Sequence, residues 1–178
     1  ITVETKSGLI SLSFNENNQI SVSMGFANDN PESIPFLPNY LSSQTTYINE
    51  VECSFYPISL GNPHAVIKLD SLDNVDFSSI GKELQDSKSF PNSVNVGFLK
   101  VINKNEIDLK VYERGSGLTL ACGTGACAAS VISIKKGWVI SPVKVNMDGG
   151  VLIVNWAPNH QATLIGPAKL YSKENLIY

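Results

Sequence analysis

Apolar and polar residues alternate with a period of two along most of this chain, the signature of half-buried strands. "ITVETKSGLISLSF" reads as two short strands around Lys6-Ser7-Gly8, and "ISVSMGF" alternates again after the polar turn "NENNQ". "VECSFYPISLGNPHAVIKL" holds two strand-like runs broken at Gly61-Asn62-Pro63. "VNVGFLKVINKNEIDLKVYER" predicts a hairpin turning at Asn103-Lys104-Asn105. Its second strand points Ile107, Leu109 and Val111 one way and Asp108, Lys110 and Tyr112 the other. "VKVNMDGGVLIVNW" predicts a second hairpin, turning on Asp148-Gly149, and "QATLIGPAKLY" a last strand.

Two stretches break the alternation. "VDFSSIGKELQ" predicts a short helix with Asp76 placed to cap it. "GACAASVISIKKG" predicts the stronger helix, almost wholly apolar and therefore buried. Lys135 and Lys136 suit the dipole at its carboxyl end, and Gly137 can stop it. Between the early strands and the rest, "ANDNPESIPFLPN" carries three prolines and reads as a crossover between lobes. No strand–helix period repeats. The expected class is α+β, with mostly antiparallel strands curled around a central helix.

Composition narrows the classes. A chain of 178 residues suits one ordinary domain or two small lobes. The 43% apolar content suits a packed core, and the net charge of -3 argues against a nucleic-acid footprint or a polybasic membrane patch. No apolar stretch approaches the roughly 18 residues of a membrane span. The chain starts at Ile1, so its natural beginning is expected to lie upstream, and the lack of a signal peptide says nothing about export. Three cysteines without paired spacing point to a reduced, cytoplasmic setting, and two histidines leave no multi-histidine metal site.

The candidate chemistry lies in "ERGSGLTLACGTGACAA", Glu113 to Ala129. Cys122 precedes Gly123-Thr124-Gly125 and then the apolar helix. A helix start offers unpaired N–H groups and partial positive charge, which lower a thiol's pKa and can hold an anion. The same string can also be a turn with a buried cysteine. Arg114 at a strand end could bind a carboxylate through two parallel hydrogen bonds, while Glu113 could accept an ammonium or orient a thiol. A solvated surface pair is the alternative. Proline fixes the aim of Asn62. His64 could carry a proton near neutral pH or be a structural histidine of a turn. Asn95 lies in a strand. Cys127 reads as core, Cys53 carries no chemical signal, and His160 reads as exposed and inert.

Taken together, "GNPHAVI", "FPNSVNVGF", "VYERGSGLTLACGTGACAA", "GGVLIVNW" and "IGPA" occur in the order and at the spacing seen in diaminopimelate epimerases, which the chain resembles throughout. The resemblance implies an isomerase of lysine and peptidoglycan-precursor biosynthesis. Such an enzyme inverts the α-carbon of LL-diaminopimelate to give the meso form, without pyridoxal phosphate, metal or other cofactor. Two cysteines face each other across the substrate, one taking a proton and the other delivering one. Cys122 matches one of them. Gly123 and Thr124 fall in the anion cradle, and Asn62, Asn95, Glu113 and Arg114 match positions that hold the substrate's amino and carboxylate groups. His64 and Glu113 match residues that tune the thiols.

The family's other cysteine sits in a Gly-Asn-Gly-x-x-Cys string of an amino-terminal lobe, and no such string occurs here. The resemblance therefore implies that residues 1–28 are remnant strands of that lobe with the crossover, 29–166 the carboxyl-terminal lobe, and 167–178 a return to the first. The absent lobe and diaminopimelate are the expected partners, a homodimer is a further one, and the chain alone is expected to be inactive. Proline racemases and hydroxyproline epimerases share the two-cysteine plan. They usually carry Ser-Pro before Cys-Gly-Thr-Gly, where this chain has Leu120-Ala121. A non-catalytic relative that keeps only the anion cradle is a third reading, and a cysteine hydrolase, whose base and oxyanion hole have no clear candidates beyond His64, is a fourth.

Overall fold

The structure is a computed structural model that describes residues 1–5, 8–15, 19–31, 34–37, 44–48 and 50–168. Its elements run β1 (Thr2–Thr5), β2 (Gly8–Phe14), β3 (Gln19–Ser23), β4 (Thr45–Ile48), β5 (Val51–Ser59), β6 (Pro63–Lys68), α1 (Phe77–Asp86), β7 (Asn95–Asn103), β8 (Glu106–Glu113), β9 (Gly117–Thr119), α2 (Gly123–Lys135), β10 (Val143–Met147), β11 (Gly150–Asn155) and β12 (Thr163–Pro167). The strands form one sheet in the order β1-β2-β3-β12-β11-β10-β8-β7-β6-β5-β4, with β9 added to β8.

Both expected helices and both hairpins are present. Asp76 accepts a hydrogen bond from the Ser79 N–H at the start of α1. Gly137, at φ 70°, ends the turn after α2. The helix α2 is buried from Gly125 through Ser133, as a segment apolar on every side must be. Strands β5 to β8 and β10 to β12 all pack against it, so the sheet does curl around a central helix.

Two pairings differ from the antiparallel expectation. β6 pairs β7 in parallel, with α1 as the crossover, and β8 pairs β10 in parallel, with α2 as the crossover. Each parallel pair needs a long connection over one face of the sheet. The apolar runs of β6 and of the first half of β7 are buried on both sides, and the alternation of β8 and β10 is the same for either direction, so no period announces the direction of pairing. In β6, Val66 belongs to the core around α2 while Ala65 and Ile67 belong to a second core under α1. Strands β4 and β9 are too short to stand out in the sequence. The turns at Lys6-Ser7 and at Glu16 to Asn18, part of the proline-rich crossover, and nearly all of the segment 167–178 lie outside the described residues. Among the described residues, no helix is long and apolar enough to cross a membrane.

The topology gathers chain ends at one rim of the sheet. His64 of β6 sits directly beside Asn95 of β7, and Val96 beside Tyr112 of β8. The starts of β6 and β7 therefore meet the end of β8, and the start of α2 lies over them.

Candidate active site

Cys122 is the residue before the first turn of α2, with extended backbone at φ -141° and ψ 111°. Small residues let the helix start pack tightly. A methyl at Gly125 would meet Val111 and the Cys122 sulfur at 3.0 and 3.2 Å, and one at Gly123 would press Leu164 at 3.0 Å. Cys122 is 6% exposed. It lies one hydroxyl behind a cleft of about 520 Å³ formed by Leu9, Met24, Phe26, Leu60, Asn62 and Thr124, among others. The cleft thus opens between β2, the end of β3, and the start of α2.

A line of hydrogen bonds ends on the sulfur. His64 Nε2 lies 3.2 Å from Asn62 Oδ1. Asn62 Nδ2 donates to Thr124 Oγ1 at 3.3 Å, and Thr124 Oγ1 lies 3.6 Å from Cys122 Sγ. Directions follow from proton counting. With the Asn62 amide donating to Thr124, its carbonyl oxygen accepts from His64, which fixes the Nε2–H form of the ring. The Thr124 oxygen accepts from Asn62, so its own proton is free to point at sulfur. The line therefore ends with the Thr124 hydroxyl aimed at Cys122, where it favours the thiolate.

The opposite influence is stronger. Burial pushes the Cys122 thiol up to about 11, and the Glu113 carboxylate, as acceptor and as charge, adds to this. The Thr124 hydroxyl and the Gly125 N–H pull downward without reversing the balance. The expectation that the helix start makes Cys122 a thiolate is thus overturned for this chain: loss of hydration outweighs the partial charge of the helix end. Cys122 rests as a thiol.

His64 is also not the near-neutral proton carrier that the sequence allowed. It is 1% exposed, and burial with the nearby Arg114 charge lowers its pKa to about 4. It is a neutral ring that aims Asn62. Asn95 is buried as well. Its Nδ2 donates to the Pro63 carbonyl at 3.0 Å and its Oδ1 accepts from the Arg114 N–H at 2.9 Å, pinning the end of β8 to the start of β6. Arg114 turns outward, as neighbours on a strand do, and its guanidinium donates to the Asn92 carbonyl at 2.8 Å. Seven sequence-derived candidates thus occupy one rim: Asn62, His64, Asn95, Glu113, Arg114, Cys122 and Thr124, with Gly123 beneath them. Thr119 was not among them. Its hydroxyl donates to Glu113 Oε1 at 2.6 Å.

Cys127 is fully buried core, His160 is exposed, and Cys53 is half-buried on a different cleft.

Comparison with known proteins bears on this geometry. The family profile described as "Diaminopimelate epimerase" matches residues 56–171. The diaminopimelate epimerase of Pseudomonas savastanoi pv. phaseolicola is 44% identical over 172 residues, which are 94% of this chain and 62% of that protein. That of Psychrobacter sp. is 41% identical over 173 residues, 94% of this chain and 59% of that protein. The chain therefore spans about three fifths of the length of the curated relatives it matches. Among solved structures, a hydroxyproline epimerase from Agrobacterium vitis with bound trans-4-OH-L-proline superposes with a TM-score of 0.61 at 15% identity, over 96% of this chain and 57% of its own. A Bacillus anthracis phenazine biosynthesis protein of the PhzF family gives 0.54 at 16%, over 93% and 64%. At such identities the superpositions establish a shared fold. Profile and whole-chain identity go further, and by them this chain belongs to the diaminopimelate epimerase family.

Proposed function

We propose that this chain carries one half of a cofactor-independent diaminopimelate epimerase site, with Cys122 as one of its two opposed thiols. The observation that carries the reading is the His64–Asn62–Thr124 line of hydrogen bonds that ends on the Cys122 sulfur, together with the Glu113 carboxylate that raises the pKa of that thiol. Such a sulfur can hold a proton at rest and remain stabilised once it has given the proton up.

In the forward step a thiolate on the far face removes the α-proton. The C–H electron pair stays on the α-carbon, and the Cys122 S–H proton forms the new C–H bond on the near face. Cys122 is left as a thiolate, which the Thr124 hydroxyl and the helix start stabilise. The reverse direction runs the same transfers backward: the Cys122 thiolate takes the α-proton, the far thiol delivers one to the opposite face, and the Glu113 carboxylate strengthens the hold of Cys122 on the proton it gains. The first N–H groups of α2, at Gly123 and Thr124, suit the α-carboxylate, where negative charge builds during the step. Asn62, Glu113 and Arg114 read the substrate's ammonium and carboxylate groups, and a dicarboxylate with two amino groups suits that mixed set, while Asn95, its amide committed to Pro63 and Arg114, holds the rim that carries them.

The far thiol belongs to the part of the relatives' length that this chain does not span. Residues 1–28 and 167–178 are assigned to that lobe and 29–166 to the lobe described here. A reducing compartment such as the cytoplasm keeps both sulfurs free, and a homodimer is the expected assembly.

The test uses the protein with both lobes in deuterated water. LL-diaminopimelate should gain deuterium at its α-carbon, and Cys122→Ala should end this. Undiminished incorporation in that variant would remove Cys122 from the mechanism. Exchange of proline in preference to diaminopimelate would move the reading to the racemases.

A further inference from the structure

We propose that Thr119 is a positioning residue for this site: its hydroxyl locks the Glu113 carboxylate against the Cys122 thiol. The proposal deepens the function proposed above and rests on it for its kinetic arm.

The geometry begins with a turn. Gly115 and Gly117 both have positive φ, 79° and 74°, and the Ser116 N–H donates to the Glu113 carbonyl. L-residues rarely adopt such angles, so two glycines let the chain reverse within four residues of Glu113. The returning strand, β9, pairs with β8 in antiparallel register: Glu113 faces Gly117, Tyr112 faces Leu118, and Val111 faces Thr119. Side chains two apart on a strand share a face. Glu113 and Val111 are on the same face of β8, and Thr119, opposite Val111, joins them. A diagonal pair of this kind is within reach across a narrow ribbon, and here the partner of Glu113 is only a glycine. Val111 is fully buried and fills the space against Gly125 of α2. The face that carries Glu113 and Thr119 is therefore the one turned to the start of α2, where Cys122 sits.

Glu113 is half-buried at the end of its strand, and its carboxylate has two ways to turn, to solvent or to the thiol. Thr119 decides between them, because its hydrogen bond at 2.6 Å engages Oε1. A hydrogen bond to a charged carboxylate is among the stronger side-chain contacts, and it orients as well as binds. Thr119 makes no hydrogen bond to the sulfur and does not line the cleft. It acts through Glu113.

The first arm of the test reads the thiol in this chain itself and needs no turnover. The rate of Cys122 alkylation by iodoacetamide is followed against pH, with peptide mass spectrometry separating Cys122 from Cys53 and Cys127. The Glu113 carboxylate raises the Cys122 pKa, so Glu113→Gln should lower the midpoint. Thr119→Val, which keeps the shape and loses the donor, should lower it as far, and Thr119→Ser should restore it. A midpoint unmoved in Thr119→Val, or unmoved in Glu113→Gln, overturns the proposal. Should Thr119→Val fail to fold, Thr119→Ser against Thr119→Ala gives the same comparison.

The second arm uses the protein with both lobes. Thr119→Val should slow kcat for α-deuterium exchange by about ten- to a hundredfold, the scale of a displaced catalytic group, with KM little changed. A rise in KM alone would make Thr119 a binding residue and overturn the proposal. Failure of the unsubstituted two-lobe protein to exchange would instead refute the function, with the thiol titration still deciding for or against Thr119.

Discussion

At the scale of single residues, the site is governed by what burial does to ionisable groups. The sequence correctly marked Cys122, Glu113, Asn62, Asn95 and Thr124 as neighbours, because their motifs carried a resemblance. It could not supply their protonation. The charge of a helix end can be read from letters, but the hydration lost by Cys122 depends on Val111, Leu164 and the rest of the fold around it. His64 shows the same gap and gives a prediction. The folded ring is held neutral, with its pKa lowered to about 4 against an ordinary value of 6.5. Between those values the unfolded chain binds a proton that the folded chain refuses. The stability due to the neutral ring is thus complete above pH 6.5 and is lost as pH falls toward 4, by about 3 kcal/mol at most. Urea titrations at neutral pH and near pH 4.5 should show this loss. His64→Gln, which keeps a donor for Asn62 and does not titrate, should show a smaller acid loss than the unsubstituted chain. Equal losses would mean that His64 can charge without unfolding its surroundings.

At the scale of elements, strands with one wet face were legible and strands buried on both faces were legible only as runs. The β8 alternation of Ile107, Leu109 and Val111 against Asp108, Lys110 and Tyr112 appears in the fold as read, since one face meets α2. The parallel pairing of β6 with β7 was not legible, because Ala65, Val66 and Ile67 are buried whichever way a neighbour runs. The return of β9 was missed for another reason: three residues give no period, and the signal lay in Gly115 and Gly117 as turn formers. The crossover helix α1 offers a direct check of how the elements fit. A methyl at Gly81 would fall 2.4 Å from Cγ and 2.7 Å from Cβ of Tyr112. Those atoms are close to the β8 backbone, so the ring cannot swing clear and helix or strand must move. Alanine gains about 1 kcal/mol over glycine within a helix, while overpacking costs about 1–3 kcal/mol. Gly81→Ala should therefore lower the urea midpoint at an unchanged slope. Tyr112 precedes Glu113, so the same variant should also disturb Cys122 alkylation. A variant as stable as the parent, with normal thiol titration, would mean that α1 rides loosely on β8.

At the scale of the whole molecule, several large apolar side chains stay in water, Tyr47 and Val51 at one end of the sheet and a group near the start of the chain at the other. The core around α2 and the core under α1 are both closed, yet Ile1, Val3, Leu9, Phe14 and Phe26 are exposed within the first 26 residues. Leu9 and Phe26 line the cleft that also holds Asn62 and Thr124. Apolar surface gathered beside a candidate active site marks a face that another polypeptide covers. The chain spans about three fifths of its relatives' length, and the function proposed above implies that the remaining part of such a relative covers this face and that the face self-associates without it. Two outcomes are expected for the purified chain of 178 residues. It should show no epimerisation, since one thiol cannot serve both faces of the α-carbon. Its sedimentation coefficient should rise with concentration, and charges introduced by Leu9→Lys with Phe14→Lys should hold it at the monomer mass of 19.3 kDa. Adding a polypeptide that corresponds to the uncovered two fifths of a relative should suppress the association and restore exchange together, because one surface serves both. Association that persists in the charged variant would place the sticky face elsewhere. Turnover by the chain alone would put the second proton carrier among its own residues and end the two-lobe reading.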